Sequence, residues 1–153
     1  MATDCGSESR RQDGKPPLRA LSLTDNVPMI TATANDDGYA AIFVAQLRLI
    51  YRPGDVLVVI SASGNSPNIV AAARWVKAHG GKVLGLLGFD GGAVKGLCDT
   101  LLHVKTATGE YGPVEDVHSV FNHLLTARLN RPTPMMCGGA QALGRCGTDA
   151  RGA

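Results

Sequence analysis

The stretch from Asp55 to Ser61 reads DVLVVIS, a continuous β-branched run, and it breaks at once into Ala62-Ser63-Gly64-Asn65-Ser66-Pro67. A run that is apolar at both alternating positions has the pattern of a strand buried on both faces of a parallel sheet. After the break, Pro67 to His79 reads as a helix, with Ser66 suited to the N-cap, Pro67 to the first helical position and Gly80-Gly81 to the stop. Strand, short loop and helix in this order commit the chain to a right-handed crossover into another parallel strand. Lys82 to Leu87 and Thr100 to Val104 supply further strands. The expected fold class is therefore α/β, a parallel sheet between helix layers, and ligands of such sheets sit beyond the carboxyl ends of the strands. The loops after Ser61, Gly88 and Val104 are where a site is expected.

The flanking segments follow the same alternation. Leu18 to Leu23 is a short apolar segment closed by Thr24-Asp25-Asn26, and Asn26 to Ala34 reads as a short helix broken by Asn35-Asp36-Asp37-Gly38. Tyr39 to Tyr51 reads as an amphipathic helix with Ile42, Phe43, Leu47 and Ile50 at helical spacing, stopped by Arg52-Pro53-Gly54. Val114 to Arg128 is the last helix. Met1 to Pro17 is polar without an apolar period, and Asn130 to Ala153 is rich in Gly, Ala, Arg and Pro. Neither end can bury enough apolar surface to offset its ordering entropy, so residues 18–129 are read as the domain and 130–153 as a disordered tail.

A chain of 153 residues has room for one domain with a real core. Its net charge is only +2, and its basic residues neither cluster nor alternate with aromatics, so no nucleic-acid partner is expected. No apolar run approaches the roughly 20 residues of a membrane helix, and no secretory signal opens the chain. Cys5, Cys98, Cys137 and Cys146 show no metal-ligand or disulfide spacing, which suits free thiols in a cytoplasmic protein.

The loop Ser61 to Ser66 joins the best strand to the best helix. Free backbone N–H groups and the positive end of the helix dipole point into such a turn. Ser61, Ser63 and Ser66 can add hydroxyl donors, and Gly64 lets an anion approach the backbone. Without a lysine the loop matches neither a Walker loop nor a dinucleotide fingerprint; it suits a phosphate monoester held by neutral donors. A Ser/Gly turn that merely caps a helix explains the residues about as well.

On the last helix, at ~100° per residue, Val114, Val117, Phe121, Leu124 and Arg128 fall on one side. Glu115, His118, Ser119, Asn122 and His123 fall on the other. Two histidines and a carboxylate on one face have acid–base or metal-binding potential, although composition alone favours a solvated face.

From about Arg19 to Leu129 the chain resembles the SIS (sugar isomerase) domain, and most closely phosphoheptose isomerases. The resemblance is carried by DVLVVISASGNSPNIVAA (Asp55 to Ala72), GFDGG (Gly88 to Gly92), ANDDGY (Ala34 to Tyr39) and EDVHSVFNH (Glu115 to His123). It implies a flavodoxin-like three-layer domain whose serine loop holds a substrate phosphate through Ser61, Ser63 and Ser66. It further implies that Asn35 and Asp36 lie near the sugar hydroxyls, where a simple turn is the plainer reading. Glu115 and His123 match the family's metal ligands, usually of zinc, and His123 also its proton carrier; an unperturbed imidazole titrates near neutrality. His118 has no settled role in the family. The implied reaction is aldose–ketose isomerisation of sedoheptulose 7-phosphate through an enediol, in a cytoplasmic homo-oligomer, commonly a tetramer, that feeds lipopolysaccharide synthesis. A non-catalytic sugar-phosphate sensor or adaptor, or an inactive truncated isomerase, is the alternative.

The chain departs from the family at its start. The family opens with a strand, a Gly-Asn-Gly-Gly-Ser loop and a helix bearing His-x-x-x-Glu, and none of these occurs here. The N-terminal part is thus expected to be incomplete, with part of the zinc set absent and with exposed sheet edges and helix faces.

Overall fold

In the computed structural model, which describes residues 19–130 and of Asn130 only the backbone, the DVLVVIS run becomes strand β1 (Val56–Ser61). Strand β2 (Lys82–Leu87) lies parallel beside it, Val56 opposite Lys82 and Ser61 opposite Leu87. Strand β3 (Thr100–His103) lies parallel on the far side of β2, Leu84 opposite Thr100 and Leu87 opposite His103. The order β1-β2-β3 leaves β2 central, and in this register all three strands finish at the same edge. Their following loops therefore open together.

Helices α1 (Val27–Asp36), α2 (Ile42–Ile50) and α3 (Pro67–Ala78) precede and follow β1, with a 3-10 turn at Tyr39–Ala41 between the first two. A second 3-10 turn, Lys95–Leu97, leads into β3, and α4 (Tyr111–Asn130) closes the described chain. Local chemistry explains the boundaries. Asn26 Oδ1 accepts the Met29 amide at 3.2 Å and Pro28 sits in the first turn of α1. At the end of α3, Gly80 takes φ +72° while its N–H bonds Lys77 O and the Gly81 N–H bonds Val76 O at 2.9 Å. This left-handed cap requires the glycine.

The main core cluster lies on one face of the sheet; on the other face Leu86 of β2 is buried as well. Val59, Val83 and Leu87 pack with Ala72, Ala73 and Val76 of α3 and with Ile42, Phe43 and Leu47 of α2. The small Ala72-Ala73 pair lets α3 lie close to β1 and β2, and α2 and then α1 stack outside it. Burial of each larger side chain here contributes roughly 1.5–3 kcal/mol.

Two expectations are corrected. β1 is not buried on both faces: Val56, Val58 and Ile60 are 54%, 47% and 61% exposed, while Val59 between them is 3% exposed. The run is apolar on both sides, but only one side has a helix layer on it among the described residues. On α4, Val114 and His118 are buried whereas Val117 and Leu124 are exposed, so the helix turns a side toward the sheet that the apolar stripe does not mark. Leu18 to Leu23 is no regular element over its described part; Gln46 Nε2 holds it by donating to Leu23 O at 2.8 Å. Other boundaries move by one to three residues, and Asn130 belongs to α4 rather than to a tail. No helix among the described residues is long and apolar enough to cross a membrane. The expectations for residues 1–17 and 131–153, with Cys5, Cys137 and Cys146, lie outside the described residues.

Candidate functional site

The turn after β1 is held by its own side chains. Ser61 Oγ accepts the Gly64 N–H at 3.0 Å, and Ser63 Oγ accepts the Asn65 N–H at 3.3 Å. A hydroxyl that accepts still has its own proton to donate, so both serines keep an O–H for an outside acceptor. Ser66 occupies the N-cap of α3 at φ −59°, ψ 125°, yet its side chain caps nothing. The expected capping bond is therefore absent, and the hydroxyl remains uncommitted beside the positive end of a 12-residue helix.

A second loop, after β2, fixes the shape of the first. The Gly88 N–H bonds Ala62 O at 3.0 Å, the Val94 N–H bonds Gly64 O at 3.0 Å, and the Ala93 N–H bonds Asn65 Oδ1 at 2.9 Å. Gly64, Gly91 and Gly92 take φ of +63°, +87° and +53°. A Cβ on Gly64 would lie 2.0 Å from Gly91 O, and one on Gly92 would lie 2.3 Å from Ser63 O. The two loops thus touch backbone to backbone, which only glycine permits. The GFDGG segment seats the serine loop.

Within the second loop stands Phe89, among the described residues the non-glycine residue with positive φ, at +46°. Such a backbone costs roughly 1–2 kcal/mol. Its ring is buried and meets Tyr111 of α4 edge to face at 5.0 Å, while His103 Nε2 hydrogen-bonds its carbonyl oxygen at 3.0 Å. Neither anchor of this turn was legible in the sequence, since His103 stands alone in a strand and makes no motif.

Helix α4 approaches the same edge. A Cβ on Gly88 would lie 2.6 Å from Val114 Cγ1, so Val114 rests on the start of the second loop. One turn on, His118 is 7% exposed, hydrogen-bonds the backbone of Leu87 and leaves Nε2 buried without a partner. Burial holds the imidazole below its ordinary value of 6.5, opposed by the Leu87 bond and by nearby Glu115. A depressed folded-state value means that the unfolded chain takes the proton first. His118 therefore contributes stability above about pH 6.5 that is lost as pH falls through its folded value. We expect the unfolding midpoint to drop as pH falls below about 6.5. His118→Asn, which keeps a donor at the Nδ1 position without titrating, should flatten that slope; an unchanged slope would refute it. Asp55 and Asp99, held low by hydrogen bonds from Arg19 and Lys77, lose their contributions only near and below their ordinary 3.8.

Among the residues expected at the site, Ser61, Ser63 and Ser66 share one loop. Asn35 and Asp36 end α1, where Asn35 Nδ2 donates to Asp36 Oδ1 at 3.1 Å; no hydrogen bond ties them to the serine loop among the described residues. Glu115 and His123 are both exposed on α4, eight residues and so roughly 12 Å of helix axis apart. Among the described residues no group of three or more His, Cys, Asp or Glu could hold a metal ion. The described residues by themselves do not make a zinc site. A cleft of about 460 Å³, whose lining includes Leu21, Ser22, Asp25, Met29, Gln46 and Leu49, contains none of these residues.

A family described as the SIS domain matches residues 11–88. The phosphoheptose isomerase of Nitratidesulfovibrio vulgaris (Hildenborough) is 42% identical over 117 residues, covering 76% of this chain and 55% of that protein. That of Chlorobium phaeobacteroides is 37% identical over 131 residues, covering 86% and 58%. The chain thus spans somewhat over half the length of these relatives. Among solved structures, phosphoheptose isomerase from Neisseria gonorrhoeae superposes with a TM-score of 0.69 at 33% identity, over 73% of this chain and 62% of that one.

Proposed function

The chain belongs to the SIS domain family, and from that premise we propose that its serine loop binds the phosphate of a sugar phosphate in an aldose–ketose isomerisation of the phosphoheptose type. The observation that carries this reading is the state of the three hydroxyls. Ser61 and Ser63 are held by loop amides with their protons free to donate, and Ser66 is uncommitted at a helix start. Neutral donors and a helix dipole suit a dianionic phosphate monoester without a lysine. Sedoheptulose 7-phosphate is the substrate by likeness to the phosphoheptose isomerases.

In this reading His123 carries the proton. Its imidazole takes the hydrogen from the hydroxyl-bearing carbon beside the carbonyl, and the electron pair passes to the carbonyl oxygen as an enediolate; the hydroxyl proton moves to that oxygen, the deprotonated oxygen becomes the new carbonyl, and the imidazolium returns its proton to the former carbonyl carbon. The exposure of His123 and Glu115 on one helix supports their access to a ligand, and Asn35 and Asp36 are assigned to the sugar hydroxyls. A cytoplasmic homo-oligomer supplying heptose phosphate for lipopolysaccharide belongs to the same proposal; the exposed Val56, Val58, Ile60, Val120 and Leu124 support self-association.

Thermal unfolding with and without sedoheptulose 7-phosphate tests the loop directly, because a ligand of the folded state raises the midpoint. Ser63→Ala should weaken that binding by about 1.5–3 kcal/mol, the worth of a hydrogen bond to a charged group, or roughly 10- to 100-fold in Kd. A wild-type chain whose midpoint ignores the sugar phosphate, or a variant with unchanged affinity, would remove the phosphate reading.

A further inference from the structure

We infer that His103 is a positioning residue for the serine loop, acting through the Phe89 carbonyl. The inference rests on reading that loop as the phosphate site, and it concerns a side chain whose hydrogen bond goes to the second loop.

The chain of contacts is short. His103 ends β3, opposite Leu87 at the end of β2, and its Nε2 lies 3.0 Å from Phe89 O. A carbonyl only accepts, so the ring must carry its proton on Nε2, and the imidazole acts as a donor. Phe89 is the residue forced into the left-handed region, inside a turn closed by the Gly91 N–H to Gly88 O at 2.8 Å. Without an outside partner for its carbonyl, that turn has a more favourable backbone open to it.

What the turn delivers is the seat of the phosphate loop. Gly91 and Gly92 follow it directly, with the Gly91 carbonyl against Gly64 and Gly92 against the Ser63 carbonyl. Val94 and Ala93, next along, donate to Gly64 O and to Asn65 Oδ1. A shift of the Phe89 peptide therefore reaches Ser63 through atoms with no slack between them. Phe89 has a second anchor in the Tyr111 ring, but that contact fixes its side chain, not its carbonyl. The other imidazole at this edge, His118, bonds Leu87 two residues earlier and leaves the turn to His103.

The test compares His103→Ala with His103→Gln in the full chain, because the Gln Nε2 reaches to about where the imidazole Nε2 stands and restores a donor. Two quantities are measured: affinity for sedoheptulose 7-phosphate and hydrogen-exchange protection of the Gly91, Val94 and Ala93 amides. The inference expects His103→Ala to weaken binding roughly five- to tenfold, the size of one lost hydrogen bond, and to lower protection of these amides. His103→Gln should bring both back to within about twofold of wild type. If His103→Ala leaves protection unchanged, the inference fails. It also fails if His103→Gln is as impaired as His103→Ala, since shape rather than the hydrogen bond would then matter. Should the wild-type chain not bind the sugar phosphate at all, the phosphate reading falls, while the exchange data still decide whether His103 holds the turn.

Discussion

Gly64→Ala is expected to be the most damaging single-methyl change in the described chain, costing about 3 kcal/mol or more and abolishing sugar-phosphate binding. Two effects add. The residue sits at φ +63°, where a side chain costs roughly 1–2 kcal/mol. Its new Cβ would also lie 2.0 Å from the Gly91 carbonyl oxygen and 2.7 Å from its carbon. These are backbone atoms, fixed by the turn at Phe89, and cannot swing aside as a lysine tip could. The loops must separate, and the bonds from Val94 and Ala93 go with them. Gly109→Ala is the control: its φ is +98°, but a Cβ there would have nothing within 4 Å. Urea unfolding of both variants isolates the interlock from the backbone preference. Equal losses would show that the two loops do not bear on each other in solution.

Leu87→Ala should cost about 2–5 kcal/mol. The side chain is fully buried in the cluster with Ala72, Ala73 and Val76, and the residue stands where β2 ends and the second loop begins. Its carbonyl also receives the Val104 N–H at 2.9 Å, tying β3 to the same point. A cavity here loosens the base of both loops. The contrast is with Val58→Ala on the opposite face, where nearly half of the side chain's surface is exposed and a change within about 0.5 kcal/mol is expected. Urea unfolding of the pair measures how unequal the two faces of the sheet are. A Val58→Ala loss as large as that of Leu87→Ala would mean that the outer face is covered in solution.

The difference between those faces also marks how far the sequence could be read. β1, β2 and α3 were legible because each rests on local chemistry: a β-branched run, a proline at a helix start, a left-handed glycine at its end. Burial was not legible in the same way. Val56, Val58 and Ile60 are as apolar as Leu57 and Val59, but periodicity says what can be buried and is silent on what lies against it. Helix α4 went astray for a related reason. Its apolar stripe suggested one side, yet the helix turns Val114 and His118 inward, with Val114 against Gly88. The serine loop was legible as a motif, while its dependence on the second loop was not, since the bonds join residues 26 to 30 apart. Phe89 and His103 carry no pattern that a single sequence displays.

The interlock has a consequence for the time at which the molecule becomes competent. The serine loop lies early in the described chain, and β1 with α3 could form while synthesis continues. The groups that shape the loop arrive later: the Gly88 N–H, the Gly91 carbonyl, and last the Val94 N–H to Gly64 O. A nascent chain must therefore extend past Val94 and clear the ribosomal tunnel before the serine loop takes its final shape.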